Sequence, residues 1–153
     1  MNKYMGFNLI DAKPMNLGEY NKFRGLDIPS DEDPDREGYL VEPWNHSTWS
    51  PKEVFEASYI LLKGNDKLAS GVSIDEELVK NFIKEVHVET IGEKTTLVRA
   101  VLANGFEIIE TSSCVDKANY DEEMGTKICL ERIQNKIWEL LGFLLQTAYK
   151  GVK

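Results

Sequence analysis

Three cations, Arg99, Arg132 and Lys136, share one stretch of the chain with a run of hydroxyls at Thr111, Ser112 and Ser113 and with the amide of Asn119. Phe106 and Tyr120 add aromatic faces to that set, with Phe82 and Trp138 behind them and Lys127 as a fourth cation. Such side chains suit a ligand that carries phosphates and a base. Guanidinium and ammonium groups make charge-assisted hydrogen bonds to phosphate, hydroxyl and amide groups complete its contacts, and rings stack on the base. Arg132, Lys136 and Phe106 also have plainer roles open to them, because paired cations often only solvate a helix face and an aromatic after a turn is often core.

Catalysis has less to draw on. Asp121, Glu122 and Glu123 fall at a helix start, where the positive end of the macrodipole favours acids, and this explains them better than a metal site does. Cys114 and Cys129 lack CxxC spacing and a companion histidine cluster, so they are expected to be buried thiols rather than zinc ligands. His46 stands beside Ser47 and Thr48, but His87 is distant and no nucleophile elbow is present, so no triad is expected. No P-loop or dinucleotide fingerprint occurs either. The expectation is a binding protein, not an enzyme, with no metal and no cofactor.

The elements that must position the binding set are a hairpin and a long helix. Asn104-Gly105 is a strong two-residue turn signal of the I′ type, which requires positive φ at both positions. Alternation then sends Leu97, Arg99, Val101 and Ala103 to one face of the first strand and Thr96, Val98, Ala100 and Leu102 to the other. After the second strand, Asp116, Asn119 and Asp121 are all possible N-caps. The helix that follows is expected to run to about Leu141 with Gly142 at C′, burying Leu130, Ile133, Ile137, Leu140 and Leu144. Upstream, Ser73 and Glu76 form a capping-box pattern for a helix over 74–85, and 87–91 alternates like an edge strand. The fold class is α+β: an antiparallel sheet over 86–112 packed by two helices, with a small N-terminal α/β module.

The polar, glycine-bounded stretch 63–71 divides the chain into 1–64 and 72–153. In the first part, 6–15 and 38–42 read as strands, and Asn16 with Glu19 starts a short helix that Gly25 closes. Residues 44–49 read as a turn. Ser50, Pro51 and Glu53 signal a helix over 51–62. The acidic loop at 31–37 reads as solvated, since it lacks the ligand spacing of a calcium loop. Trp44 and Trp49 read as core of this small unit rather than as base platforms. The segments GEYNKFRGLDIP, GYLVEP and WSPKEVFEASY resemble a short module that accompanies many phage proteins, and no chemistry is attached to it.

Of the 153 residues, 42% are hydrophobic and 10% aromatic, an ordinary globular composition. The formal net charge of −8 argues against a duplex nucleic-acid binder, which needs a basic surface to release counterions. No apolar run reaches the length of a membrane span, and the N-terminus lacks a signal-peptide core, so no membrane is expected.

The run L-x-N-G-F from Leu102, then S-S-C-V-D-x-x-N-Y-D-E-E-M-G-x-K-I from Ser112, then N-K-I-W-E-L-x-G-F-x-L from Asn135 resembles a family of small tailed-phage proteins. That family includes the type-one Thoeris anti-defence protein, and the resemblance covers about half the chain, near 73–146. It implies a non-catalytic phage protein acting in the host cytoplasm, which sequesters a cyclic ADP-ribose isomer made by TIR-domain enzymes and, in some members, cyclic oligonucleotides. It also implies a homodimer, and in some members a hexamer built as a trimer of dimers. Under that reading the ligand-binding set is Arg99, Phe106, Ser112, Ser113, Asn119, Tyr120, Arg132 and Lys136. Its phosphates are expected between the start of the long helix and its basic flank. The alternative is a phage interaction module that inhibits a host protein directly, using the acidic loop and the net charge as a nucleic-acid mimic.

Overall fold

The computed structural model describes residues 1–27, 29, 31–42 and 46–152, and they form two compact units, Met1–Leu61 and Leu62–Lys153. In the first unit, β1 (Asp11–Pro14) is shorter than the strand expected over 6–15. Helix α1 (Leu17–Arg24) has the expected capping box. The Asn16 side chain accepts from the Glu19 N–H at 2.8 Å, the Glu19 carboxylate accepts from the Asn16 N–H at 3.1 Å, and Gly25 closes the helix at φ +67°. β2 (Gly38–Glu42) forms the centre of an antiparallel sheet between β1 and β3 (Thr48–Pro51).

β3 corrects two expectations. Trp49 sits in this strand opposite Leu40, not in a turn, and its indole N–H donates to the Met15 carbonyl at 2.8 Å. Trp44 lies outside the described residues. Ser50 and Pro51 pair with Tyr39 and Gly38, so their backbone is held extended and the Ser50 hydroxyl caps nothing. Helix α2 (Lys52–Glu56) is accordingly one short turn rather than a helix over 51–62. The rings of Tyr39, Phe55 and Tyr59 stack beside it at centroid distances of 4.2 and 4.8 Å.

The second unit opens with α3 (Glu76–Asn81), capped by Asp75, whose side chain accepts from the Leu78 N–H at 2.7 Å; Ser73 is not the cap. The helix stops early because Phe82 and Ile83 are claimed by the sheet. The Phe82 carbonyl accepts from the Ala103 N–H at 2.8 Å, and Ile83 opens β4 (Ile83–Ile91) opposite Leu102. β-branched residues at 83, 86 and 88 favour the strand. β5 (Thr95–Leu102) and β6 (Glu107–Ser113) complete an antiparallel sheet in the order β4-β5-β6, and α4 (Glu122–Lys150) packs over β5 and β6.

The turn between β5 and β6 holds three residues, not two. The Gly105 N–H donates to the Leu102 carbonyl at 2.9 Å and the Leu102 N–H to the Phe106 carbonyl at 2.8 Å, so Ala103 and Asn104 are the central pair and Gly105 follows at φ +81°. This is a three-residue hairpin loop closed by a left-handed glycine, in which Asn104 also accepts from the Phe106 N–H at 3.1 Å. The face assignment of β5 is as alternation dictates: Thr96, Val98, Ala100 and Leu102 are buried, and Leu97, Arg99 and Val101 lie on the helix-free side.

Against that buried face α4 presents Gly125, Cys129, Ile133, Ile137 and Leu141, an i, i+4 stripe. Leu140, expected in the stripe, is 41% exposed, because the way the helix crosses the sheet turns it outward. Ile133 and Ile137 are fully buried, each worth about 1.5–3 kcal/mol of transfer free energy. Gly142 does not end the helix. Leu144 beyond it still packs on the core, and Gly151 at φ +76° caps the helix instead, its N–H bonding the Thr147 carbonyl at 2.8 Å.

Candidate functional site

The structure divides the expected binding set among four places. Arg132 and Lys136 reach from α4 to β6. The Arg132 guanidinium donates to the Thr111 carbonyl at 2.9 Å, and the Lys136 ammonium pairs with Glu110. Ser112 and Ser113 are the next residues of that strand, Ser112 half-buried opposite Thr96 and Ser113 sharing a hydrogen bond with Thr95 at 2.8 Å. Glu110 to Ser112 therefore make one strip of two cations and one hydroxyl, on the order of 7 Å long at strand rise, while Ser113, paired with Thr95, lies on the helix-free face. Arg99 stands apart, on the helix-free face of the sheet, bonded to Glu107 at 2.9 Å. Phe106 is at the far end of the hairpin. There it borders an apolar groove of about 160 Å³ with Phe82, Leu140 and Phe143.

Tyr120 and Asn119 occupy the fourth place, at the start of α4, where donors are already committed. A 3-10 turn, Lys117–Asn119, precedes the helix, and the Asn119 N–H bonds the Asp116 carbonyl at 3.0 Å while the Tyr120 N–H bonds the Lys117 carbonyl at 3.1 Å. Asp121 then caps α4, accepting from the Met124 N–H at 3.0 Å. The positive end of the helix thus holds Asp121, Glu122 and Glu123 rather than a free anion cradle. Arg132 lies about 15 Å further along the helix at 1.5 Å per residue, so the helix start and the basic flank are not one pocket within a chain.

Four groups, of which only Tyr120 belongs to the expected binding set, form a directed chain here. Thr90 donates to Glu122 at 2.5 Å, so its oxygen accepts from the Tyr120 hydroxyl at 2.7 Å, which in turn accepts from Thr96 at 3.0 Å. Each hydroxyl has one proton to give, and the carboxylate, as an acceptor only, fixes the direction. Thr96 is fully buried, and Gly125 lies directly over it: a Cβ at Gly125 would meet the Thr96 hydroxyl at 2.2 Å. A threonine on the apolar face of β5 and a glycine inside a long helix were the available signals. Cys129 sits one turn beyond Gly125, and burial pushes its thiol up, against a smaller pull from Arg132. Among the described residues, no three His, Cys, Asp or Glu side chains are grouped to hold a metal, and no helix is long and apolar enough to cross a membrane.

Residues 74–149 match the phage protein (N4 Gp49/phage Sf6 gene 66) family. Through its second unit, the chain belongs to that phage protein family. The match runs from the approach to α3 to the last turn of α4, so it takes in the sheet, the hydroxyl chain and the β6 strip of this phage unit together. No curated protein and no solved structure matches the chain.

Proposed function

We propose that the phage unit sequesters a small anionic cyclic nucleotide, a cyclic ADP-ribose isomer of the kind made by TIR-domain enzymes or a related cyclic oligonucleotide, by reversible binding without turnover in the host cytoplasm. One observation carries the phosphate-binding part of this reading: Arg132 and Lys136, one turn apart on α4, both reach β6, at the Thr111 carbonyl and at Glu110, beside which Ser112 is the next residue on the helix side of the strand. Their present partners are a backbone carbonyl and one carboxylate, both of which a phosphate can replace. The specific ligand class comes from the resemblance of the 102–145 motifs. A homodimer, or a hexamer of three such dimers, is expected to complete the site, because a lone strip on one edge encloses little of a ligand.

A sponge has to hold a micromolar signal below the threshold of its effector, so Kd is expected on the order of nanomolar, about −12 kcal/mol. The decisive experiment incubates the cyclic nucleotide with the protein, heat-denatures the mixture and chromatographs the small molecules. Recovery of intact ligand at one binding equivalent supports sequestration. A cleaved or rearranged product, or no retention at all, refutes it.

The first unit favours a second reading. Asp33, Asp35, Glu37, Glu53 and Glu56 line a shallow concavity that holds only Arg36 and Lys52 as cations. A basic host protein would be the partner of such a surface. Stoichiometric capture of one host protein by the parent chain, lost on replacing Asp33 and Asp35 with Lys, would favour this direct inhibition.

A further inference from the structure

We infer that β4 is the surface through which two copies of this chain join, its edge pairing antiparallel with β4 of a second copy about a twofold axis at Val88. The inference takes the homodimer from the proposed function and does not depend on its ligand. Among the described residues β4 pairs only with β5, and it is nine residues long with Val86, Val88 and Ile91 exposed at 43%, 41% and 46%. A long edge with exposed β-branched residues is a template for another strand unless it is blocked. The other edge of the sheet is partly blocked, since the Arg132 side chain occupies the Thr111 carbonyl of β6.

The charges of β4 and the extent of its regular ladder together favour one register. The ladder is irregular between Ile83 and Glu85 and regular from Glu85 to Ile91, and Val88 is the midpoint of that regular stretch. Antiparallel pairing about Val88 sets His87 of each copy opposite Glu89 of the other, Val86 opposite Thr90, and Val88 opposite itself. Pairing about His87 would set Glu85 against Glu89, and pairing about Glu89 would set that acid against its own copy. Directly opposed like charges are unfavourable, whereas the Val88 register opposes no like charges and sets each His87, which bonds Glu85 of its own strand at 3.1 Å, across from a carboxylate.

The faces agree with this pairing. Val86, Val88 and Thr90 lie on the helix side of the sheet, opposite Ala100, Val98 and Thr96, while His87 and Glu89 lie on the helix-free side opposite Arg99 and Leu97. The dimer would be a continuous six-stranded sheet with both α4 helices on one face. With strands about 4.8 Å apart and helices about 10 Å across, the two helices would flank an open cleft about 9 Å wide over β4 and its mate. Val86 and Val88 would floor that cleft, and both β6 strips would stay free at the outer rims.

Disulfide trapping in the full chain tests the register, with Cys114→Ser as background and Cys129 left buried. Under mild oxidation Val88→Cys should give a covalent dimer. Val86→Cys should not, because its copies would lie about 13 Å apart along the paired strands, beyond disulfide reach. Glu89→Lys should weaken dimerisation in sedimentation velocity by about tenfold or more, and His87→Glu combined with Glu89→Lys should restore it. A parent chain that stays monomeric at every concentration overturns the inference. So does equal trapping at Val86 and Val88, or a Glu89→Lys variant that dimerises like the parent. A dimer that holds no nucleotide would refute the sponge reading alone, and a nucleotide-binding monomer would refute the interface alone.

Discussion

Two glycines on α4 should respond in opposite directions to the same substitution. Gly125→Ala adds a methyl where the Thr96 hydroxyl would lie 2.2 Å and the Thr96 Cβ 2.8 Å away, both inside contact distance. The helix itself gains about 1 kcal/mol from replacing glycine with alanine. Against that stand about 1–3 kcal/mol for overpacking and a further 1–3 kcal/mol if the displaced, fully buried Thr96 hydroxyl loses Tyr120. The net is a loss of about 1–5 kcal/mol, with roughly 3 as the middle value. At about 4–8 °C per kcal/mol for a domain of this size, the transition should fall by about 12–24 °C. Gly142→Ala, on the same helix with nothing within 4 Å of the added Cβ, should raise the transition by a few degrees through helix propensity alone. Circular dichroism at 222 nm during thermal unfolding reads both, because the 29-residue α4 dominates the helical signal. A Gly125→Ala protein that melts at or above the parent would refute the close packing of α4 on β5.

Gly105→Val should destabilise the second unit by about 1–2 kcal/mol because its φ of +81° is left-handed, whereas Gly105→Asn should cost less; denaturant titration separates the two. Arg132→Ala should weaken nucleotide binding by about one to two decades in calorimetry with little change in Tm, the loss of one charge-assisted contact, while Arg99→Ala, on the other face of the sheet, should leave affinity unchanged. Equal losses in both variants would move the phosphates off the β6 strip. Thiol titration at neutral pH should modify Cys114 in the native protein and both cysteines only in denaturant, because burial raises the Cys129 thiol and shields it.

Local rules written in short stretches of sequence carried over into the structure. Alternation in β5 assigned each side chain to its face, and the Asn16–Glu19 box and Gly25 bounded α1, because each depends on neighbours a few residues away. The motifs at 102–145 likewise point to a phage family by residue type and spacing alone. Where two local signals competed, the sheet decided. Ser50-Pro51 has a helix-start pattern but is held extended by β2, and the helical spacing of Ile74, Leu78 and Phe82 gives way at Ile83 to the ladder with Leu102.

What remained open in sequence depended on groups far apart in the chain. Which stripe of α4 is buried follows from how the helix crosses the sheet, and that crossing depends on Gly125 admitting Thr96 from 29 positions earlier. Gly142 reads as a helix end by residue type, yet apolar packing beyond it carries the helix on to Gly151. The candidate site divided for the same reason. Residue types alone place Arg99, Arg132 and Lys136 in one set, but the pleat sends Arg99 to the opposite face, and the acids that cap α4 hold the position where a phosphate was expected. Charge and hydrogen-bonding capacity belong to the residue, while the partner that uses them is chosen by the fold.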